Sequence, residues 1–196
     1  FAQFAKLPVF DPSSPEEAYH MMADAFELSE MYATPVLFRP TTRICHACAA
    51  VDVYPSETVK AHEGFVKDPK WVIFPRLSYN AHLNIEQRNP KMGVELSDYP
   101  FNTVTGGGKL GIAAGGVSYA YACEALKDFE TAHKLFKVAT PHPFPSRLAL
   151  EFLSDLTDVL VLEELDPVIE KELLLLCGQH HINVNIKGKL SGDTRV

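Results

Sequence analysis

Basic residues are the scarce ones in this 196-residue chain: 18 Lys and Arg stand against 25 Asp and Glu, a net charge of -7. An acidic balance argues against general nucleic-acid or anionic-membrane binding, since both need a basic face. Cysteine is almost as sparse. Of the four, only Cys45 and Cys48 are close in sequence, which suits a reducing cytoplasm and excludes a disulfide framework. The longest apolar runs, such as Leu173 to Cys177, are far short of the ~20 residues a membrane span needs, and no charged-then-apolar signal segment opens the chain. No fixed-period repeat or low-complexity tract is present. The phosphate-loop and G-x-G-x-x-G fingerprints, the nucleophile elbow, H-E-x-x-H and paired carboxylates are missing as well.

What remains is ordinary globular material, 46% apolar and 22% charged. At ~150 residues per domain, the length corresponds to about one and a third domains. The chain begins with Phe1 where a native start has Met or a small residue, and is read as the cut edge of something larger.

The first 40 residues predict strand, helix, strand. Leu7 to Phe10 is a short apolar run. Ser13 or Ser14 caps a helix with Pro15 in its first position and Glu16 and Glu17 in its first turn, and Ala18, Met22, Ala25, Phe26 and Ser29 share one face. Val36 to Phe38 is the second strand. Residues 54–108 are broken by prolines and read as an irregular connection, with Trp71 to Phe74 a candidate strand, His82 to Arg88 a short helix, and Thr105 to Gly108 a flexible joint. From Lys109 the alternation is regular. Strands at Leu110–Ala114, Phe136–Ala139 and Val159–Leu162 alternate with helices, the last one capped by Asp166-Pro167 and closed by Gly178. The fold class is α/β: an open, mostly parallel sheet with helices on both faces, preceded by a βαβ unit.

Four clusters are candidates for chemistry. Cys45-His46-Ala47-Cys48 has redox or half-zinc spacing, but no second ligand pair follows, and two incidental thiols are the better reading. Gly115-Gly116 follows a strand and opens a helix, so its backbone N–H groups could hold an anion; the alternative is a tight turn for close helix packing. Glu163-Glu164 lies at the carboxyl end of a strand, where open α/β sheets collect ligands, and is expected to be solvated or bonded to a neighbouring helix terminus. His180-His181 suits a helix C-terminus without further role. Cys123 and Cys177 are expected in the core, and no metal site is expected.

Several segments resemble, in family order, the large subunits of indolepyruvate ferredoxin oxidoreductases, which are thiamine diphosphate-dependent 2-oxoacid oxidoreductases. Pro8 to Ser13 with the helix ending Ala25 to Glu30 is similar to the end of that family's pyrimidine-binding domain. Thr34 to Arg39 and Thr41-Thr42-Arg43-Ile44-Cys45-His46 resemble its closing strand and the Thr-Thr-Arg-x-Ser-His segment. Lys109 to Leu126 and Asp158 to Glu164 resemble the following transketolase C-terminal-like domain. Cys45 stands where the family usually has Ser, so neither thiol is a family requirement. Arg43 and His46 match residues at a domain junction, where structural hydrogen bonding is the expected role.

The resemblance implies a domain plan: 1–53 the remnant of a pyrimidine-binding domain, 54–108 a linker, and 109–196 a transketolase C-terminal-like domain. It implies a cytoplasmic parent enzyme that decarboxylates arylpyruvates oxidatively with thiamine diphosphate, Mg2+, [4Fe-4S] clusters and coenzyme A, passing electrons to ferredoxin and working with a smaller second subunit. No G-D-G segment with a downstream Asn and no cluster-binding cysteine run is present here. The expectation is therefore a middle fragment, without cofactors or catalytic residues, inactive alone and able to self-associate. The alternatives are a free-standing module that binds an anion at Gly115-Gly116, and a thiol redox protein using Cys45 and Cys48.

Overall fold

The computed structural model describes residues 1–55 and 64–194; residues 56–63 of the expected linker and the last two of the C-terminal domain lie outside the described residues. The N-terminal unit runs α1 (Ala2–Ala5), β1 (Val9–Phe10), α2 (Pro15–Tyr32), β2 (Leu37–Phe38) and α3 (Thr42–His46), with β1 and β2 paired in parallel. Ser14 is the N-cap of α2. Its side chain accepts from the Glu17 N–H, and Pro15 and two carboxylates fill the first turn.

The buried stripe of α2 is offset by one residue from the expected face. Glu17, Met21 and Ala25 are buried, whereas Met22 and Phe26 are exposed. The cause is Glu17. Its carboxylate accepts from the Ser13 N–H at 2.9 Å and from the Ser13 hydroxyl, and it pairs with Lys137 at 2.8 Å. That turns a charged residue into the inner anchor of the helix and rotates the apolar stripe outward.

The connecting region differs most from expectation. Trp71 to Phe74 is not a strand: a 3-10 turn at Pro69–Trp71 leads into α4 (Pro75–Glu95), much longer than the short helix expected, with Pro90 inside it. An apolar run becomes a strand only beside another strand, and among the described residues none pairs with it. A second 3-10 turn at Leu96–Asp98 precedes β3 (Thr103–Gly106). The glycine run is thus a strand end and tight connection, not a loose joint. Gly106 and Gly108 have φ of 78° and 120°, and a Cβ at Gly106 would lie 2.2 Å from the His133 carbonyl oxygen.

The main sheet continues with β4 (Leu110–Gly115), α5 (Gly116–Ala125), β5 (His133–Val138), α6 (Ser146–Leu153), β6 (Asp158–Leu162), α7 (Val168–His180) and β7 (Asn185–Lys187). Its order is β3-β5-β4-β6-β7; only β3 is antiparallel to its neighbour. Helices cover both faces, as the expected fold class requires. Ile112 and Ala114 pack with Ala122 of α5, while Ala113, Phe136 and Val159 face Phe152, Leu153 and Leu173 of α6 and α7. Each large side chain buried there contributes roughly 1.5–3 kcal/mol. Gly111 lets α6 close in: a Cβ there would stand 2.6 Å from Leu156 and 2.7 Å from Phe152. The helix after β6 ends with His181 in the left-handed region at φ 55°, not at Gly178, which lies inside the helix. Among the described residues no helix is long and apolar enough to cross a membrane.

The two units meet along residues 139–142, which run on from β5. The Val9 N–H donates to the His142 carbonyl at 2.6 Å and the Asp11 N–H to the Ala139 carbonyl at 2.8 Å. Buried Asn102 clamps the same stretch. Its Oδ1 accepts from the Ala139 and Thr140 N–H groups, and its Nδ2 donates to the Leu96 carbonyl and the Thr140 hydroxyl. Asn102→Ala leaves these buried groups unsatisfied, and urea unfolding is expected to show a loss of about 2–4 kcal/mol. A loss under about 0.5 kcal/mol would contradict the clamp.

Candidate functional site: the acidic cleft at the sheet switch point

From β4 the chain crosses through α5 to β5 on one side, then through α6 to β6 on the other. The carboxyl ends of these strands therefore diverge above β4, where open α/β sheets form their ligand crevice. A cleft of about 240 Å³ lies there, floored by Gly115, Gly116 and Ile169, with His142 and Glu163 to Asp166 along its sides. Asp11, Arg39 and Thr41 reach into it from the N-terminal unit.

Its electrostatics are dominated by carboxylates. Asp11 is 6% exposed, and Oδ2 accepts from Arg39 Nη1 at 3.1 Å while Oδ1 is buried without a hydrogen-bond partner. Burial pushes the Asp11 carboxyl up to about 7. Arg39 opposes the shift, and Glu164 and Glu17 add to it. Glu163 is the N-terminal anchor of α7. Its carboxylate accepts from the N–H groups of Val168, Ile169 and Glu170 at 3.0, 2.6 and 3.1 Å. Burial raises its pKa, and these three backbone donors oppose the rise. Of the pair read from sequence, one Glu is thus bonded to a helix terminus, as expected, and Glu164 is exposed.

The other candidates fare differently. Gly116 does open α5 with φ 51°, but the place where an anion would sit holds the protein's own carboxylate. A Cβ on Gly116 would stand 2.8 and 2.9 Å from the two Asp11 oxygens. The turn at these glycines packs closely on Asp11. A diphosphate placed there would face Asp11, Glu163 and Glu164 with Arg39 as counter-charge.

Cys45 and Cys48 are exposed free thiols, and Cys45 lies in the last turn of the five-residue α3. The nearby helix end is the negative one, the reverse of the end that activates thiols in C-x-x-C redox sites. Cys177 is buried in the α7 core and Cys123 packs beside the α5 cluster, as expected. Among the described residues no three of His, Cys, Asp or Glu converge on a metal position. Arg43 lies over the Tyr121 ring at 5.7 Å and lines a shallower groove with Glu164 and Lys189; His46 is exposed. His180 and His181 flank the C-terminus of α7, away from the cleft lining.

Two groups escaped the sequence reading. Asp11 follows the apolar run Leu7 to Phe10 and has no local pattern that marks it as buried. Lys137 interrupts the β5 run, yet it is nearly buried, paired with Glu17 and packed on Tyr119 and Phe101 at 4.9 and 5.6 Å. A lone Lys between Phe136 and Val138 was the available signal.

No protein-family model matches the chain. It is 36% identical to indolepyruvate oxidoreductase subunit IorA of Methanothermobacter thermautotrophicus over 197 residues, 98% of this chain and 32% of that protein. With IorA of Thermococcus kodakarensis the identity is 39% over 198 residues, covering 96% and 31%. The chain is similar to a segment of IorA. It spans about a third of the length of these IorA relatives. A 2-oxoglutarate:ferredoxin oxidoreductase from Magnetococcus marinus shares the fold at TM-score 0.56 and 14% identity, over 92% of this chain and 38% of that one. The order of motifs behind the sequence resemblance thus corresponds to an alignment with the IorA relatives over nearly the whole chain.

The raised Asp11 sets a pH dependence. Unfolded, this carboxyl releases its proton near pH 4; folded, it keeps it to about pH 7. The folded state therefore binds more protons between those values, and stability falls as pH rises through the window. Asp11→Asn is expected to flatten the decline and to gain on the order of 2 kcal/mol at pH 8. Thermal unfolding from pH 5 to pH 8 checks this. A variant with unchanged slope would contradict the assignment.

Proposed function

We propose that this chain is the middle segment of an IorA-like subunit and that it acts there as scaffold and contact region, without an active site of its own. The observation that carries this reading is the alignment with IorA over 98% of the chain. The acidic switch-point cleft supports it, because its carboxylates are arranged to lock two units together and to repel a phosphate-bearing cofactor. In this reading residues 1–53 close a pyrimidine-binding domain, 54–108 link it onward and supply β3 to the sheet that follows, and 109–196 form the rest of the transketolase C-terminal-like domain.

The parent enzyme would decarboxylate arylpyruvates oxidatively to acyl-CoA and reduce ferredoxin. Thiamine diphosphate, bound with Mg2+ by other parts of the parent, would supply the carbanion chemistry. The [4Fe-4S] clusters and coenzyme A would likewise be held outside this segment, with a smaller subunit as partner. The residues of this chain position domains. Asn102 and the β1 hydrogen bonds fix residues 139–142, Lys137 and Glu17 fix α2 on the sheet, and Glu163 fixes α7.

Titration calorimetry of this chain with thiamine diphosphate and Mg2+ tests the reading. No binding is expected up to millimolar ligand, and micromolar affinity would contradict it. The same titration with inorganic diphosphate tests the anion-module alternative, which the Asp11 carboxylate at Gly116 argues against.

A further inference from the structure

Five buried side-chain atoms have no hydrogen-bond partner among the described residues, and three of the five belong to residues that line the switch-point cleft: Asp11 Oδ1, Thr41 Oγ1 and His142 Nε2. A buried polar atom left unbonded forfeits its hydration without return, so three at one cleft mark a place where a polar ligand is held. Asp11 is the most deeply buried of the three residues. It is 6% exposed, its Oδ2 is bonded to Arg39, and its Oδ1 stands against Gly116 on the cleft floor. These atoms are withdrawn from solvent within the chain itself, whatever outer surface a longer protein covers.

The chemistry of the three atoms selects the ligand. Each can accept a hydrogen bond: Oδ1 as a carboxylate oxygen, Oγ1 through its lone pairs, Nε2 as an imidazole nitrogen. Burial and the charge of Lys6 hold the His142 ring below its usual pKa, so it is uncharged at neutral pH. Asp11, Glu163, Glu164 and Asp166 bring four carboxyl groups to the cleft against the single guanidinium of Arg39, a field that favours a cation. A bare metal ion lacks its ligand set, since among the described residues no three of His, Cys, Asp or Glu converge. The cleft of about 240 Å³ is also far larger than the ~30 Å³ of one water, and Val9, Leu37 and Ile169 make part of its wall apolar. A primary ammonium group brings a positive charge and three N–H donors with no acceptor, and its hydrocarbon body suits the apolar wall.

We propose that the cleft binds a primary ammonium group on a short hydrocarbon body, with Asp11 Oδ1 as its charged acceptor, Thr41 and His142 as further acceptors, and Val9, Leu37 and Ile169 against the body. Ligand and proton then compete for one oxygen. The charged and titratable groups around Asp11 are Arg39 after β2, Glu17 of α2, Glu164 after β6 and His142 of residues 139–142. Among them the Asp11 carboxyl keeps its proton to about 7, whereas an alkylammonium stays charged well above that, so binding tightens as pH rises through 7. The same chemistry belongs to a free amine and to a lysine side chain of a longer protein. The site goes beyond the scaffold role and needs nothing from the oxidoreductase reading.

n-Butylammonium chloride titrated into the chain at pH 8, followed by NMR at the Gly115, Gly116 and Ile169 amides, is expected to bind saturably in roughly the millimolar range. At pH 6 the binding is expected to be about tenfold weaker. Tetramethylammonium has the charge without the N–H donors, and butyrate has the body with the opposite charge; each is expected to bind at least about tenfold more weakly. Asp11→Asn is expected to weaken n-butylammonium at least about tenfold and to remove the pH dependence. Thr41→Val removes the unbonded hydroxyl at nearly constant shape, is expected to weaken binding at least about threefold, and decides the case if Asp11→Asn unfolds. In a full-length IorA-like subunit, retained binding assigns the ammonium to a free amine and lost binding to a lysine of the subunit itself; this arm alone rests on the IorA reading. No saturable binding by about 100 mM, tetramethylammonium or butyrate equal to n-butylammonium, or affinity unchanged in both variants would each overturn the proposal.

Discussion

Four residues past the end of β5 hold the architecture together. A strand that leaves a sheet has unpaired N–H and C=O groups, and in residues 139–142 those groups are taken up from two directions. One is the outer unit, where Val9 and Asp11 of the β1 segment donate to carbonyls of this stretch; the other is the side chain of Asn102. Ladder-type hydrogen bonds tolerate little misalignment, so this join fixes the angle at which the βαβ unit meets the five-stranded sheet. The position of α2 and the closing of the cleft by Asp11 and Arg39 both depend on that angle.

The join also accounts for the electrostatic character of the cleft. Where such a crevice binds phosphate, backbone N–H groups at a helix start are left free for the ligand. Here β1 delivers Asp11 to the start of α5 and β2 delivers Arg39 to Asp11, so the position is taken by a carboxylate with a resident counter-charge. The glycines at 115 and 116 have the composition of an anion site and serve to admit Asp11. The same geometry gives Glu163 its task, since a carboxylate at the carboxyl end of β6 meets three free N–H groups of α7.

Much of the sheet was legible in the sequence because its signals are local. Leu110 to Ala114 and Val159 to Leu162 are continuous apolar runs, as buried parallel strands are, and Ser14-Pro15 marks a helix start in two adjacent residues. The misreadings share a different cause: they depend on a distant partner. Met22 and Phe26 fit a helical core stripe as well as Met21 and Ala25 do, and only the pairing of Glu17 with Lys137, 120 residues on, decides between the two faces. Trp71 to Phe74 has strand composition without a strand beside it. Gly115-Gly116 is ambiguous until Asp11 is placed. The family resemblance was legible from motif order, whereas Asp11 and Lys137, which govern the cleft and the α2 anchor, were single polar residues whose burial no local pattern announces.

Native-state hydrogen exchange tests the join most directly, because the amides that form it report their own opening. If residues 139–142 lock the two units into one body, the Val9 and Asp11 amides exchange with the same opening free energy as the Ile112 amide of the central strand, and the three respond together to denaturant. Exchange at Val9 and Asp11 that is orders of magnitude faster than at Ile112 and insensitive to denaturant would show a βαβ unit that opens independently, and would contradict the account.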